Sequence, residues 1–236
     1  MPPKHTFDLH HLPSRGQTIF YLLILIASPI INLGVNSLIY TDFRLIALKG
    51  KHTFGLYHWL FGVSGFLLGA LVILLGINLA HAWLARHRQA RKTLLLFGLV
   101  SSLYLGINLL TISYGIFAFK VQSFFLLVVS ICVYISLNIT FLFWYWYVDY
   151  PSQIRRLRHP ECRPEICFPD NADPTPGWLP NVWDYLYFAI LTSNTLGPPE
   201  NHSASGRRVK AVVLIHSVVM LIVLVIFISR AINTLT

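Results

Sequence analysis

Five apolar runs, at about 17–40, 57–85, 93–118, 121–149 and 209–235, constrain this chain more than any motif it carries. Each is long enough to cross a bilayer as a helix, which takes ~20 apolar residues. Composition agrees, since 55% of the 236 residues are apolar, 11% are charged and the mean hydropathy is +0.62. Those values belong to a polytopic membrane protein. The expected fold class is therefore all-α, integral to the plasma (inner) membrane, with about five transmembrane helices. Residues 1–16 form a tail whose Lys4, Arg15 and three histidines lead into a run longer than a signal-peptide core. No small-residue cleavage pattern follows, so the first span is expected to be retained.

The net charge of +9 does not point to nucleic acid, because all of the 18 basic residues but Arg230 fall in the N-terminal tail or in and beside the connections between spans, where membrane topology accounts for them. Cys132 lies inside an apolar run, whereas Cys162 and Cys167 flank "RPEI" in a polar loop. Four residues separate that pair, too many for a C-x-x-C redox motif, which leaves a local disulfide or two free thiols. His10 and His11 read as an exposed pair, with no carboxylate or thiol set at metal-ligand spacing. An intramembrane haem protein would draw on His58, His81 and His216. The first two stand about 34 Å apart on one helix at 1.5 Å per residue, and 93–149 offers no histidine to partner either. A transporter would show internal repeats and paired broken helices, and none is visible. Asn201-His202-Ser203 matches a glycosylation sequon whose meaning depends on the source.

The spans themselves contain polar and small residues. Gly62, Gly65, Gly69 and Gly76 in 57–85 have the spacing that lets helices approach closely in lipid. Asn32, Asn36, Asn78, Asn108 and Asn138 place amides in four runs, where an unpaired amide costs several kcal/mol and is expected to bond to a neighbouring helix. "FWYWYVDY" at 143–150 reads as an aromatic belt at the membrane surface, ahead of Pro151 and the basic "RRLRH".

Beyond Asp149 the pattern changes. Residues 150–180 are rich in Pro and polar side chains and are expected to be irregular. Residues 181–192 make roughly three apolar turns, too short to span but long enough to enter the membrane and turn back. Asn181 can cap that helix, and Asp184 lies in its first turn, where the dipole favours an anion. "TSNTLGPPE" (192–200) follows, and then the last span, 209–235.

This succession of short helix, Thr-rich strand, Gly and span resembles the pore module of the tetrameric potassium-channel superfamily, whose pore helix leads into T-x-G-Y-G-D. The resemblance covers about 150–236, carried by "DYLYFAILTSNTLGPPE" and by "VLVIFISRAINTL" in the last span. It implies an outer helix at 121–149, a loop at 150–180, a re-entrant pore helix at 181–192, a filter-like strand at 192–200 and an inner helix at 209–235. The ion pathway would then comprise Thr192, Ser193, Asn194, Thr195, Leu196, Gly197, Pro198, Pro199 and Glu200. It further implies a homotetramer in the lipid bilayer, no enzymatic activity and no cofactor beyond a permeant monovalent cation such as K⁺ or Na⁺. Membrane helices 17–120 match no motif.

The sequence departs from the family where Pro198 and Pro199 replace Tyr and Gly, and Glu200 replaces Asp. Filters of this kind hold a dehydrated cation in rings of backbone carbonyls. Thr195, Leu196 and Gly197 retain the inner rings. The outer rings need backbone angles closed to proline, whose φ is fixed near −65° and which also restricts the residue before it. A rebuilt outer half implies weak discrimination between K⁺ and Na⁺; the alternative is a packed hairpin that conducts nothing.

Orientation gives two opposing signals. With five spans, the loops at 1–16, 86–92, 150–180 and 206–210 share one face and carry 13 of the 18 basic residues, which points that face to the cytoplasm. The resemblance implies the reverse, with the mouth outside, and seven of the nine acidic residues, between Asp149 and Glu200, suit a cation-attracting mouth. A first run that stops short of crossing, at Pro29, Asn32 and Gly34, would lessen the conflict. The expected orientation is that of the family.

Overall fold

The computed structural model describes residues 15–47, 53–84, 87–118, 123–159, 161–169 and 178–235; the His10–His11 pair lies outside the described residues. In chain order the elements are α1 (Arg15–Ala47), α2 (Thr53–Trp83), α3 (His87–Ala118), α4 (Ser123–Arg158), β1 (Ile166–Cys167), α5 (Val182–Thr195), β2 (Ser203–Ala204) and α6 (Arg207–Leu235). Helices α1, α2, α3, α4 and α6 are each long and apolar enough to cross a membrane. The chain is an all-α, multi-pass integral membrane protein. Helix α1 continues through Pro29 and supplies a candidate span of its own at Thr18–Ser37, in line with five spans and not with the alternative of a first run that stops short.

Short connections make successive helices antiparallel, and α4 lies at the centre, packed on α1, α3, α5 and α6. Its buried residues Leu126, Val129, Val133 and Leu137 recur every three or four positions, the spacing of one helical face. Towards its C-terminal end the burial encircles the helix. Phe143, Tyr145 and Trp146 are all inaccessible, and the Trp146 ring stacks on Tyr21 of α1 at 4.1 Å. The expected aromatic belt is therefore mostly interior packing, because four helices converge there.

The intramembrane amides divide between neighbours and their own helices. Asn36 Nδ2 and Ser64 Oγ both donate to Asn108 Oδ1, which ties α1, α2 and α3 at one node. Thr93 Oγ1 donates to Asn78 Oδ1 at 2.9 Å, joining α2 to α3. Asn32 departs from expectation and donates to Ser28 O on its own helix. The glycines of α2 depart as well: a Cβ at Gly62, Gly65, Gly69 or Gly76 would meet nothing within 4 Å. Close approach occurs at Gly98 of α3 instead, against the Phe143 ring.

Three expected boundaries move. Helix α4 carries on past 149 to Arg158, through Pro151. The loop contains a strand, β1, which pairs antiparallel with β2 through Ile166–Ala204 and Cys167–Ser203. Helix α5 ends at Thr195, so Thr192 to Thr195 are helical and the irregular return begins at Leu196.

Candidate functional site

The site is built around the seat of α5. Asn181 caps its first turn, accepting from the Trp183 and Asp184 amides while Asp184 Oδ2 accepts from the Asn181 amide at 2.7 Å, a reciprocal capping box. One turn further on, Tyr185 Oη donates to Asp149 Oδ2 at 2.9 Å. Asp149 is completely buried and accepts three more bonds: from Ser152 Oγ, from Gln153 Nε2 and, at 2.8 Å, from the Ile166 amide of β1. One carboxylate thus joins the end of α4, the strand pair and α5. Burial, and then the adjacent Asp149, push the Tyr185 phenol well above its usual range, which keeps it a donor to that carboxylate.

Helix α5 runs antiparallel to α4, since Tyr185 meets Asp149, Ser193 meets Asn138, and Asn194 meets Tyr134. At its far end the hydrogen bonds have a defined direction. Asn138 Nδ2 donates to Tyr134 O, which leaves Asn138 Oδ1 to accept from Ser193 Oγ at 2.9 Å. The Ser193 hydroxyl has then used its single proton, so it accepts from His216 Nε2–H, 2.9 Å away. His216 Nδ1 is left to accept from Tyr145 Oη at 2.9 Å. The Phe141 ring covers the imidazole face at 3.9 Å. The order Tyr145, His216, Ser193, Asn138 fixes α5 to both α4 and α6.

Past Thr195 the chain reverses. Leu196 caps α5 in the left-handed region, φ 55°, which costs an ordinary L-residue about 1–2 kcal/mol. Thr195 Oγ1 lies within bonding distance of both Leu191 O and Gly197 O, holding the reversal to the helix end. Pro199 O accepts from the His202 amide at 3.0 Å with Asn201 at φ 62°, the positive angle that the third position of a type II turn demands. His202 packs against Phe168, Tyr187 and Phe188, which brings the return back to the level of the second turn of α5 before β2.

The nine residues singled out from the sequence separate into two groups. Thr192 and Ser193 are interior, and Thr192 Oγ1 donates to Phe188 O. Asn194, Thr195, Leu196 and Pro198 are exposed on one end of the hairpin, Gly197 is half-exposed, Pro199 is buried, and Glu200 is exposed on the turn. Of the two alternatives for Cys162 and Cys167, the structure has the free thiols, and Cys167 Sγ lies 3.3 Å from Ser205 Oγ. The three histidines weighed as haem ligands do not converge; His81 Nδ1 faces Thr93 Oγ1 and His216 is enclosed by Tyr145 and Ser193.

Sequence reasoning missed Asp149 and Tyr145, and it weighed His216 only as a haem ligand. An ionisable residue inside an apolar run is itself a signal, and Asp149 and His216 both carried it. Compared with known proteins, the chain matches no family model, no curated protein and no solved structure.

Proposed function

We propose that this chain is one subunit of a potassium-channel-like pathway for monovalent cations, weakly selective, with α5 as a re-entrant pore helix. In this reading Asn194 to Pro198 face an aqueous axis shared by copies of the chain, most simply four.

The observation that carries it is a polar, exposed helix end level with the middle of the α1 candidate span. Ser28, midway along the Thr18–Ser37 candidate span, meets Thr140 of α4 at 3.2 Å; in this reading that level, within a turn of Asn138, is the bilayer centre. Asn138 is the partner of Ser193, so the exposed Asn194, Thr195 and Leu196 lie close to that level. Lipid cannot solvate a helix C-terminus and a non-helical turn; such backbone persists only against protein or a water-filled cavity. The C-terminal end of α5 carries partial negative charge, which favours a cation in that cavity. A left-handed leucine at the tip, a strained geometry of the kind that clusters at functional sites, supports the same reading.

One chain cannot enclose an axis, so rotational assembly is part of the proposal. In liposomes the native protein is expected to pass K⁺ and Na⁺ with little preference. Thr195→Val, which removes the hydroxyl held to Gly197 O, is expected to weaken the flux, and Pro198→Tyr with Pro199→Gly to raise K⁺ over Na⁺ preference in part. Native mass near four protomers accompanies these results. A clean monomer or dimer, or no cation flux in any of the three forms, overturns the channel and leaves a structural hairpin.

A further inference from the structure

From Leu137 towards Arg155 on α4 and from Arg208 towards Ile226 on α6, single faces of the two helices line a succession of cavities. The first, about 310 Å³, is bounded by Val148, Pro151, Arg155, Arg207 and Arg208, with Glu165 as its acid. An adjoining cavity of about 530 Å³ shares Arg155 and Glu165 and adds Arg163 and Lys210, so five basic side chains surround one carboxylate. One helical turn inward the lining changes character. Trp144 lies four residues from Val148, and Val212 four from Arg208, so the same faces continue into an apolar cavity of about 460 Å³ closed on its third side by α3. A further apolar cavity, about 390 Å³, carries the groove along α3 and α6 to Ile226 and Phe227, with Gly106 and Val219 common to both. Trp144 Nε1 donates to Ser102 Oγ and bridges α4 to α3 at the inner end of the basic part.

We infer that this composite groove binds a phospholipid with an anionic headgroup, its phosphate among Arg155, Arg207 and Arg208 and one acyl chain along α3 and α6. The charge supports this occupant, since the five cations stand where the apolar spans end and headgroups begin. Length supports it too. The rise from Val212 to Ile226 is about 21 Å at 1.5 Å per residue, enough to hold an acyl chain through one leaflet, about 15 Å of a ~30 Å hydrocarbon core. A small anion would have no use for the groove, and an uncharged lipid none for the arginines. The site belongs to a single chain and does not depend on the channel reading.

Native mass spectrometry of the full chain, taken from bilayers of equal phosphatidylglycerol and phosphatidylcholine, tests it. Retained phosphatidylglycerol is expected to exceed phosphatidylcholine by on the order of tenfold. Arg155→Gln with Arg208→Gln is expected to abolish the preference while leaving some lipid bound. Gly106→Leu projects into space where a Cβ meets nothing within 4 Å, so it is expected to fold normally and to lower retention of both lipids. Equal retention of the two lipids by the native chain overturns the inference. So does phosphatidylglycerol binding that survives Gly106→Leu in protein of unchanged melting temperature, or displacement of the lipid by millimolar inorganic phosphate.

Discussion

In α1–α3 polar side chains meet at separate points, Asn36 and Ser64 on Asn108, and Thr93 on Asn78, with apolar packing between them. In α4–α6 they gather into two larger clusters. Asp149 gathers four donors at one level, and Tyr145, His216, Ser193 and Asn138 link three helices at another. The contrast follows from what each half must hold. Three full-length helices have backbones satisfied internally and need only registration. Helix α5 has 14 residues and stops part-way along α4, opposite Tyr134, so side chains must fix both its position and its rotation. A short helix with no span of its own is placed by polar bonds of defined direction, which apolar contacts cannot supply.

The largest expected effect tests that contrast at Asp149. Asp149→Leu strips the buried Tyr185 hydroxyl and Ile166 amide of their acceptor, at about 1–3 kcal/mol for each orphaned group. The α5 seat is expected to open, seen as protease cleavage between His159 and Asn181 and a lower melting temperature in detergent. Cleavage equal to that of the native chain would show that packing alone seats α5.

His216→Leu comes next, because it leaves the buried Ser193 and Tyr145 hydroxyls without their common partner, at about 1–3 kcal/mol. Its effect is expected to centre on α5 and α6, with faster amide exchange at Thr192 to Thr195 and little change in α2. Asn108→Leu is expected to have the smallest effect, near the ~0.6 kcal/mol typical of bonds between membrane helices for each of its two, because only one node of α1–α3 is lost. If Asn108→Leu proved as costly as Asp149→Leu, the two halves would not differ in the way described.

Orientation sharpens the comparison further. With α1 continuous, the face that holds the α5 cap also holds the loops bearing 13 of the 18 basic residues. Labelling of Cys162 and Cys167 in intact cells by a membrane-impermeant thiol reagent is expected if the mouth faces outward, as in the channel family. Protection of both thiols until the cells are opened would follow the charge bias instead.

Much of the architecture was legible without coordinates. Length and apolarity define the five crossing helices, because hydrocarbon leaves the backbone no other open-ended solution. Asn181 and Asp184 mark the start of α5 within a residue, since a cap is a local matter of side chain and adjacent amides. The irregular reversal after Thr195 is written in Gly197, Pro198 and Pro199, which exclude helix by their own backbone limits. What only the tertiary structure decided lies between residues remote in sequence. That Asp149 receives Tyr185 and Ile166, that His216 lies between Tyr145 and Ser193, and that "FWYWYV" turns inward all depend on which helix faces which. Nor could the glycine pattern of α2 be told from a packing seam until the space beside it was seen. Hydropathy measures how much a residue gains by leaving water and says nothing of which neighbour it then meets; in a bilayer, where lipid is as apolar as leucine, that choice falls to shape and directed hydrogen bonds, which exist only once the helices are assembled.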